Sequence, residues 1–339
     1  TLEEVEFSSC KILDLAPIST CANLKKFTSY SSKILSNTIS PLKDLANLEE
    51  LSLYGTQVDD FAHLAPLAKL KKINVYATKP IEGGKLDYDH LSAIKSLEEI
   101  KAGLTDMTSV AFLKDLPKIK SIEFLAEEIK DLETLENCKS IEYIMFWSHH
   151  NTDLDGNKIG KAKSLKRLKY WSTPKASNWE GLGNLTNLED LNIDGVKNCQ
   201  TPDTAINTSF LASLTNLKKV TFREVVIKDL AKLPASIKEI NIEQERIKPE
   251  DRVTLDCSTI AAPEATKLNI IGAKLTNVSS IVKNFPKIEN LTLKKIDGID
   301  NYDFLKELPK KVRVYLPKDT LKEDMVKELK EKDITINMW

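Results

Sequence analysis

Residues 45–70 read LANLEELSLYGTQVDDFAHLAPLAKL, a phrase with apolar side chains at Leu48, Leu51, Leu53, Val58, Phe61, Leu64 and Leu67 that Leu70 restarts 22 residues on. With Leu48 as position 1, Glu50-Leu51-Ser52-Leu53-Tyr54 alternates polar and apolar, the period of a half-buried strand. A crossover of about 17 residues to the next strand is too long for a hairpin and forces parallel pairing, with strands about 4.8 Å apart. Apolar residues at positions 11, 14, 17 and 20 line the return path and close a core. Pro66, and Asn187 in the matching Leu185-Thr186-Asn187-Leu188, favour short helical turns there over long helices.

The same phrase starts at Leu2, Leu24, Leu48, Leu70, Leu97, Ile119, Ile141, Leu165, Leu188, Leu217, Ile237, Ala265, Ile288 and Pro309. Fourteen starts over 339 residues make the chain a stack of similar coils, so a length prior for two globular domains does not apply. The phrase LxxLxLxx(T/C)x(V/I), with LTNLEDLNI at 185–193 as a second clear copy, resembles the leucine-rich repeat family and most closely its 22-residue, internalin-like bacterial class. The resemblance covers residues 2 to about 316 and implies an α/β repeat solenoid. That solenoid is a curved stack of 13 to 14 coils with a parallel concave sheet and short 3-10 or helical convex segments. It also implies protein binding. One departure is visible: the family's asparagine at position 9 is replaced by Cys10, Ser32, Thr56, Thr78, Thr105 and Thr173, or lost at Glu127, Val196, Val225 and Ile296.

Composition excludes several function classes. With 49 basic against 50 acidic residues and a net charge of -1, nothing favours a nucleic-acid partner, which wants a basic face. No apolar run approaches the roughly 18 residues of a spanning helix. Five cysteines follow the repeat and form no framework of their own, so Cys10 and Cys21 read as buried thiols. The chain opens with the first repeat in progress, so an end cap, a signal peptide or both are expected upstream. A secreted or cell-surface monomer is favoured, with a cytosolic regulator, the recognition arm of a larger effector and a glycan binder as the alternatives.

Position 2 alternates in sign through ten coils, from Glu3, Lys25, Glu49 and Lys71 to Glu189 and Lys218, which reads as a solvated ladder holding register. Position 7 carries Ser8, Tyr30, Tyr54, Tyr76, Gly103, Leu125, Trp147, Trp171, Asp194, Arg223, Glu243, Ile271, Lys294 and Tyr315. Six of the fourteen are Tyr or Trp, where a 6% aromatic content predicts about one. Phe7, Phe27, Phe124, Phe146 and Phe222 fall instead on inward positions 4 and 6. Tyr and Trp show a flat apolar body and a polar tip, as binding anchors do, although stacked rings also stabilise a parallel sheet. The candidate partner-binding residues are Tyr30, Tyr54, Tyr76, Tyr143, Met145, Trp147, Arg167, Lys169, Trp171 and Arg223, with Trp147 and Trp171 at the centre.

Coils starting at Leu70, Leu188 and Ile237 run to 27, 29 and 28 residues, so loops at 80–90, 197–207 and 248–262 are expected to bulge outward. After Pro317 the repeat stops. Thr320 and Glu323 form a capping-box pattern before a helical face of Leu321, Met325, Val326 and Leu329, and Ile334, Ile336 and Met338 alternate as a last strand. These predict a solenoid over 1–316 and a helix-strand cap over 317–339.

Catalytic and cofactor patterns are not found. His149, His150, Asn151, Asp153 and Asp155 resemble the start of a calcium loop, but Ala162 stands where the bidentate glutamate is needed. The run from Gly156 to Ala162 is one residue short of a phosphate loop. Cys199 and Cys257 have no neighbouring histidine. A non-enzymatic module with no cofactor and no metal is the resulting expectation.

Overall fold

A computed structural model describes residues 2–81, 84–105, 107–126, 129–147, 153–173 and 175–339. The chain divides into two compact units, residues 1–152 with 161–165, and residues 153–160 with 166–339.

In the first unit the strands Glu4–Ser8, Lys26–Tyr30, Glu50–Ser52, Lys72–Asn74, Glu99–Thr105, Ser121–Ala126 and Tyr143–Trp147 pair in that order, all parallel. In the second the order is Arg167–Trp171, Asp190–Asp194, Lys219–Arg223, Glu239–Glu243, Lys267–Thr276, Asn290–Asp297, Arg313–Leu316 and Thr335–Met338, again parallel. Position pairs with like position, as in Phe27 opposite Leu51 and Ile193 opposite Phe222. A shift by one residue would turn every leucine to water, so burial holds this register. Return paths are mostly short 3-10 turns such as Phe61–Leu64 and Ser209–Ser213, and Val58, Phe61, Leu64 and Leu67 are all fully buried. The fold is a leucine-rich repeat solenoid.

Two recurrent details make the coils stack. Among the described residues, position 8 is left-handed at Ser9, Ser31, Gly55, Ala77, Leu104, Ser172, Gly195, Glu224, Gly272 and Lys295, with φ between +48° and +72°. At Ser31 and Gly55 this residue turns the chain out of the strand while its N–H stays in the ladder, donating to the Tyr54 carbonyl at 2.7 Å and to that of Tyr76 at 2.9 Å. Position 9 supplies the bond between coils that the family draws from asparagine. Thr56 Oγ1 donates to the Ser29 carbonyl at 3.1 Å, Thr78 Oγ1 to that of Leu53 at 2.9 Å, and Ser32 Oγ to that of Phe7 at 3.3 Å. At these three positions a hydroxyl takes the part of the asparagine; the Thr173 hydroxyl is buried without such a bond, and Val196, Val225 and Ile296 carry no hydroxyl.

The position-2 ladder is formed as alternate ion pairs: Lys25–Glu3 at 3.0 Å, Lys71–Glu49 at 2.7 Å, Lys120–Glu98 at 2.8 Å and Lys218–Glu189 at 2.7 Å. All are solvent-exposed, so they assist register and add little stability.

Several expectations are corrected. Cys10 is exposed and Cys21 half-buried in the coil whose strand Glu4–Ser8 pairs with Lys26–Tyr30. Val314 pairs with Leu291 and Tyr315 with Thr292, so the last coil begins at Lys311 and Tyr315 occupies position 5, not 7. No capping box forms: the helix Glu323–Glu331 starts from Lys322 without a side-chain cap, and Thr320 Oγ1 donates to the Pro317 carbonyl instead. The insertions are not simple bulges. Leu86 is buried, Tyr88 returns to the core with its ring 5.2 Å from that of Phe61, and Cys199 and Ile206 are buried. Within 248–262, Thr254–Asp256 forms a strand on the extended end of Lys267–Thr276. Each insertion carries its own apolar residues, and burying them outweighs leaving the loop in water.

Candidate protein-binding face

Positions 3, 5 and 7 of each strand point away from the core, so each unit presents a grid of exposed side chains whose rows follow the coils. In the first unit the position-7 row is aromatic. Tyr30 stacks on Tyr54 with ring centroids 4.6 Å apart and Tyr54 on Tyr76 at 5.0 Å, the planes within 10° and 7° of parallel. Tyr30 is 44% exposed; Tyr54, Tyr76, Tyr143 and Trp147 are half-buried. The row does not end at Tyr76. Trp147 stands three coils further on, about 14 Å at the strand spacing, yet its ring centroid is 6.0 Å from that of Tyr76. The two rings lean together across Gly103 and Leu125.

Gly103 makes that lean possible. A Cβ there would fall 2.5 Å from two carbons of the Tyr76 ring and 2.8 Å from the Leu125 Cβ, inside any allowed contact. Beside the leaning rings lies a cleft of about 290 Å³ lined by Tyr54, Tyr76, Trp147, Leu125 and Met145, by the polar Asn74, Lys101 and Glu123, and by Ala102 and Phe124. Met145, expected as a surface contact, is only 9% exposed and forms part of this lining. Burial, and the neighbouring Tyr54, push the Tyr76 hydroxyl above its ordinary pKa, so it stays a neutral donor at physiological pH.

The second unit is built differently. Trp171 is 39% exposed, with the Lys169 ammonium 4.6 Å from its ring centroid, a cation–π contact. Arg167 stands opposite Asp190. Arg223 donates from Nε to Glu243 at 2.7 Å and from Nη1 to Asp194 at 3.2 Å, so its guanidinium is held between carboxylates of both neighbouring coils. Burial raises Asp190 and Asp194 above the ordinary range, for Asp194 despite Arg223. Burial also pushes Glu239 upward, but hydrogen bonds from Lys267 and Asn241 and the charge of Lys219 prevail and hold it at about 2.

Sequence reasoning passed over Lys101, Glu123, Gly103 and Leu125 as site residues. The signal was present in the position-7 row, where one glycine and one leucine interrupt four aromatics, but only the leaning rings give the interruption meaning. His149, His150 and Asn151 of the calcium-like run lie outside the described residues. Asp155 in that run caps the helix Gly156–Ile159, accepting from Asn157 N–H at 2.8 Å.

No protein-family model matches this chain, and no curated protein matches it in sequence. Solved structures do match in fold. An internalin, InlF, from Listeria monocytogenes strain 4b F2365 has a TM-score of 0.61 at 20% identity, covering 89% of this chain and 81% of its own. A leucine-rich repeat protein of Leptospira interrogans has a TM-score of 0.61 at 13% identity, covering 99% and 90%. At these identities the likeness concerns the fold alone.

Proposed function

We propose that this leucine-rich repeat protein is a non-enzymatic binding module that holds a partner protein against the exposed face of its parallel sheet. The observation that carries the reading is the aromatic run Tyr30, Tyr54, Tyr76 and Trp147, with three rings stacked, one leaning, and a cleft beside them. Five strand steps from Tyr30 to Trp147 span about 24 Å, which suits an interface of standard size. Large aromatics beside a cleft on a rigid face are the side chains that anchor partners. The second unit carries candidate contacts of its own, Trp171, Lys169 and Arg167, and Arg223, already paired twice, contributes specificity more than affinity there.

The proposal extends to a secreted or cell-surface protein whose partner belongs to a host. Fractionation of cells carrying the full reading frame tests that part. The binding role is tested by affinity capture, followed by a dissociation constant for the purified partner. Tyr54→Ala with Trp147→Ala is expected to weaken that constant at least about a hundredfold without unfolding the chain. An unchanged constant rejects the anchors.

A further inference from the structure

Lys101 Nζ lies 3.6 Å from Oε1 of Glu99 and 3.6 Å from Oε1 of Glu123. Neither distance is a hydrogen bond. One ammonium is therefore shared between Glu123, which lines the cleft, and Glu99, which stands outside it, so the charge of Glu123 is only partly compensated. The other wall is aromatic, made by Tyr54, Tyr76 and Trp147. A volume of about 290 Å³ falls at the lower edge of the range of roughly 300–1,000 Å³ for small-molecule sites. It admits one long side chain.

Aromatic faces attract a cation through the ring quadrupole, and a carboxylate with open lone pairs accepts paired N–H donors. A guanidinium meets both demands at once, stacking flat on a ring while donating in its own plane. A lysine ammonium, more strongly hydrated and without a plane, meets them less well. We propose that the cleft receives the guanidinium of an arginine side chain on an extended segment of the partner protein. Tyr76 and Trp147 hold its plane and Glu123 is its counter-ion. The proposal rests on reading this face as the partner-binding surface, and the partly compensated carboxylate of Glu123 is what selects arginine over an apolar anchor.

The test uses the full chain with its tryptophan indoles ¹⁵N-labelled, titrated with N-acetyl-arginine methylamide and with the citrulline analogue, which has the same shape and no charge. Trp147→Phe assigns the Trp147 resonance by its disappearance. The arginine probe is expected to move that resonance and to saturate in the millimolar range. Citrulline should bind at least about tenfold more weakly. Glu123→Gln should weaken arginine binding about tenfold, and Lys101→Met, which removes the competing ammonium, should tighten it about threefold or more. Equal binding of citrulline, no movement of the Trp147 resonance, or weaker binding in Lys101→Met overturns the assignment. Absence of arginine preference, alongside partner capture that Trp147→Ala abolishes, overturns arginine and leaves the binding face standing. Arginine preference, alongside capture that the Tyr54→Ala/Trp147→Ala pair leaves intact, supports the cleft's chemistry and overturns the placement of the partner on this face.

Discussion

The Tyr76 ring occupies the space that a side chain at Gly103 would need: a Cβ there would stand 2.5 Å from the ring. The conformation of Gly103 is not left-handed, so the glycine answers to space and not to backbone strain. Gly103→Ala is therefore expected to push Tyr76 away from Trp147 and to destabilise the chain by about 1–3 kcal/mol. Chemical denaturation and near-ultraviolet circular dichroism would read the two effects. In a Tyr76→Ala background the penalty should fall by more than half, leaving the 2.8 Å approach to Leu125. A penalty independent of Tyr76 would show that the lean is not what requires glycine.

Thr56 is fully buried and its hydroxyl meets both Ser29 Oγ at 2.9 Å and the Ser29 carbonyl at 3.1 Å. Thr56→Val keeps the shape and leaves both Ser29 groups without that partner, for an expected loss of about 1–3 kcal/mol. Adding Ser29→Ala should cost less than the sum of the single changes, since it removes one orphaned hydroxyl. Strict additivity in urea titrations would reject a shared bond.

Gln244 is fully buried; its Nε2 donates to the Val225 carbonyl at 2.7 Å and its Oε1 accepts from Val253 N–H at 2.9 Å. It ties the preceding coil to the long insertion. Gln244→Leu should destabilise by about 2–4 kcal/mol and expose 248–262 to limited proteolysis before the rest of the chain. Cleavage starting elsewhere, with 248–262 still protected, would contradict that tie.

Glu239 titrates at about 2 against an ordinary value of 4.5. A depressed carboxyl contributes stability that is fully present above the ordinary value and is lost as pH falls through the folded one. Between pH of about 5 and 2 the chain should thus lose up to about 3 kcal/mol through this group, and Glu239→Gln should flatten that part of the profile. Denaturation midpoints across the window would measure it; an identical slope in the variant would assign the loss to other carboxylates.

Residues 45–70 and their copies were enough to determine the repeated strands, their parallel register and most of the buried set, with Cys10, Cys21 and Met145 as exceptions. Like pairs with like in this fold, so Leu51 meets the same environment as Phe27 and Ile73, and one local pattern is read many times over. Where the pattern weakened, at Pro309, the count slipped by two residues and misplaced Tyr315. The inserted strand Thr254–Asp256 has no counterpart in other coils, so no period could announce it. The left-handed position 8 was equally hidden, because Ser31, Ala77 and Glu224 adopt by stacking a conformation that only Gly55, Gly195 and Gly272 advertise by type. The sequence by itself determined which row is aromatic and that it faces away from the core. Only the tertiary structure decided that Tyr76 and Trp147 lean together over Gly103, and that Lys101 stands between Glu99 and Glu123. Those relations depend on the room left by side chains one to three coils away, which a periodic pattern does not encode.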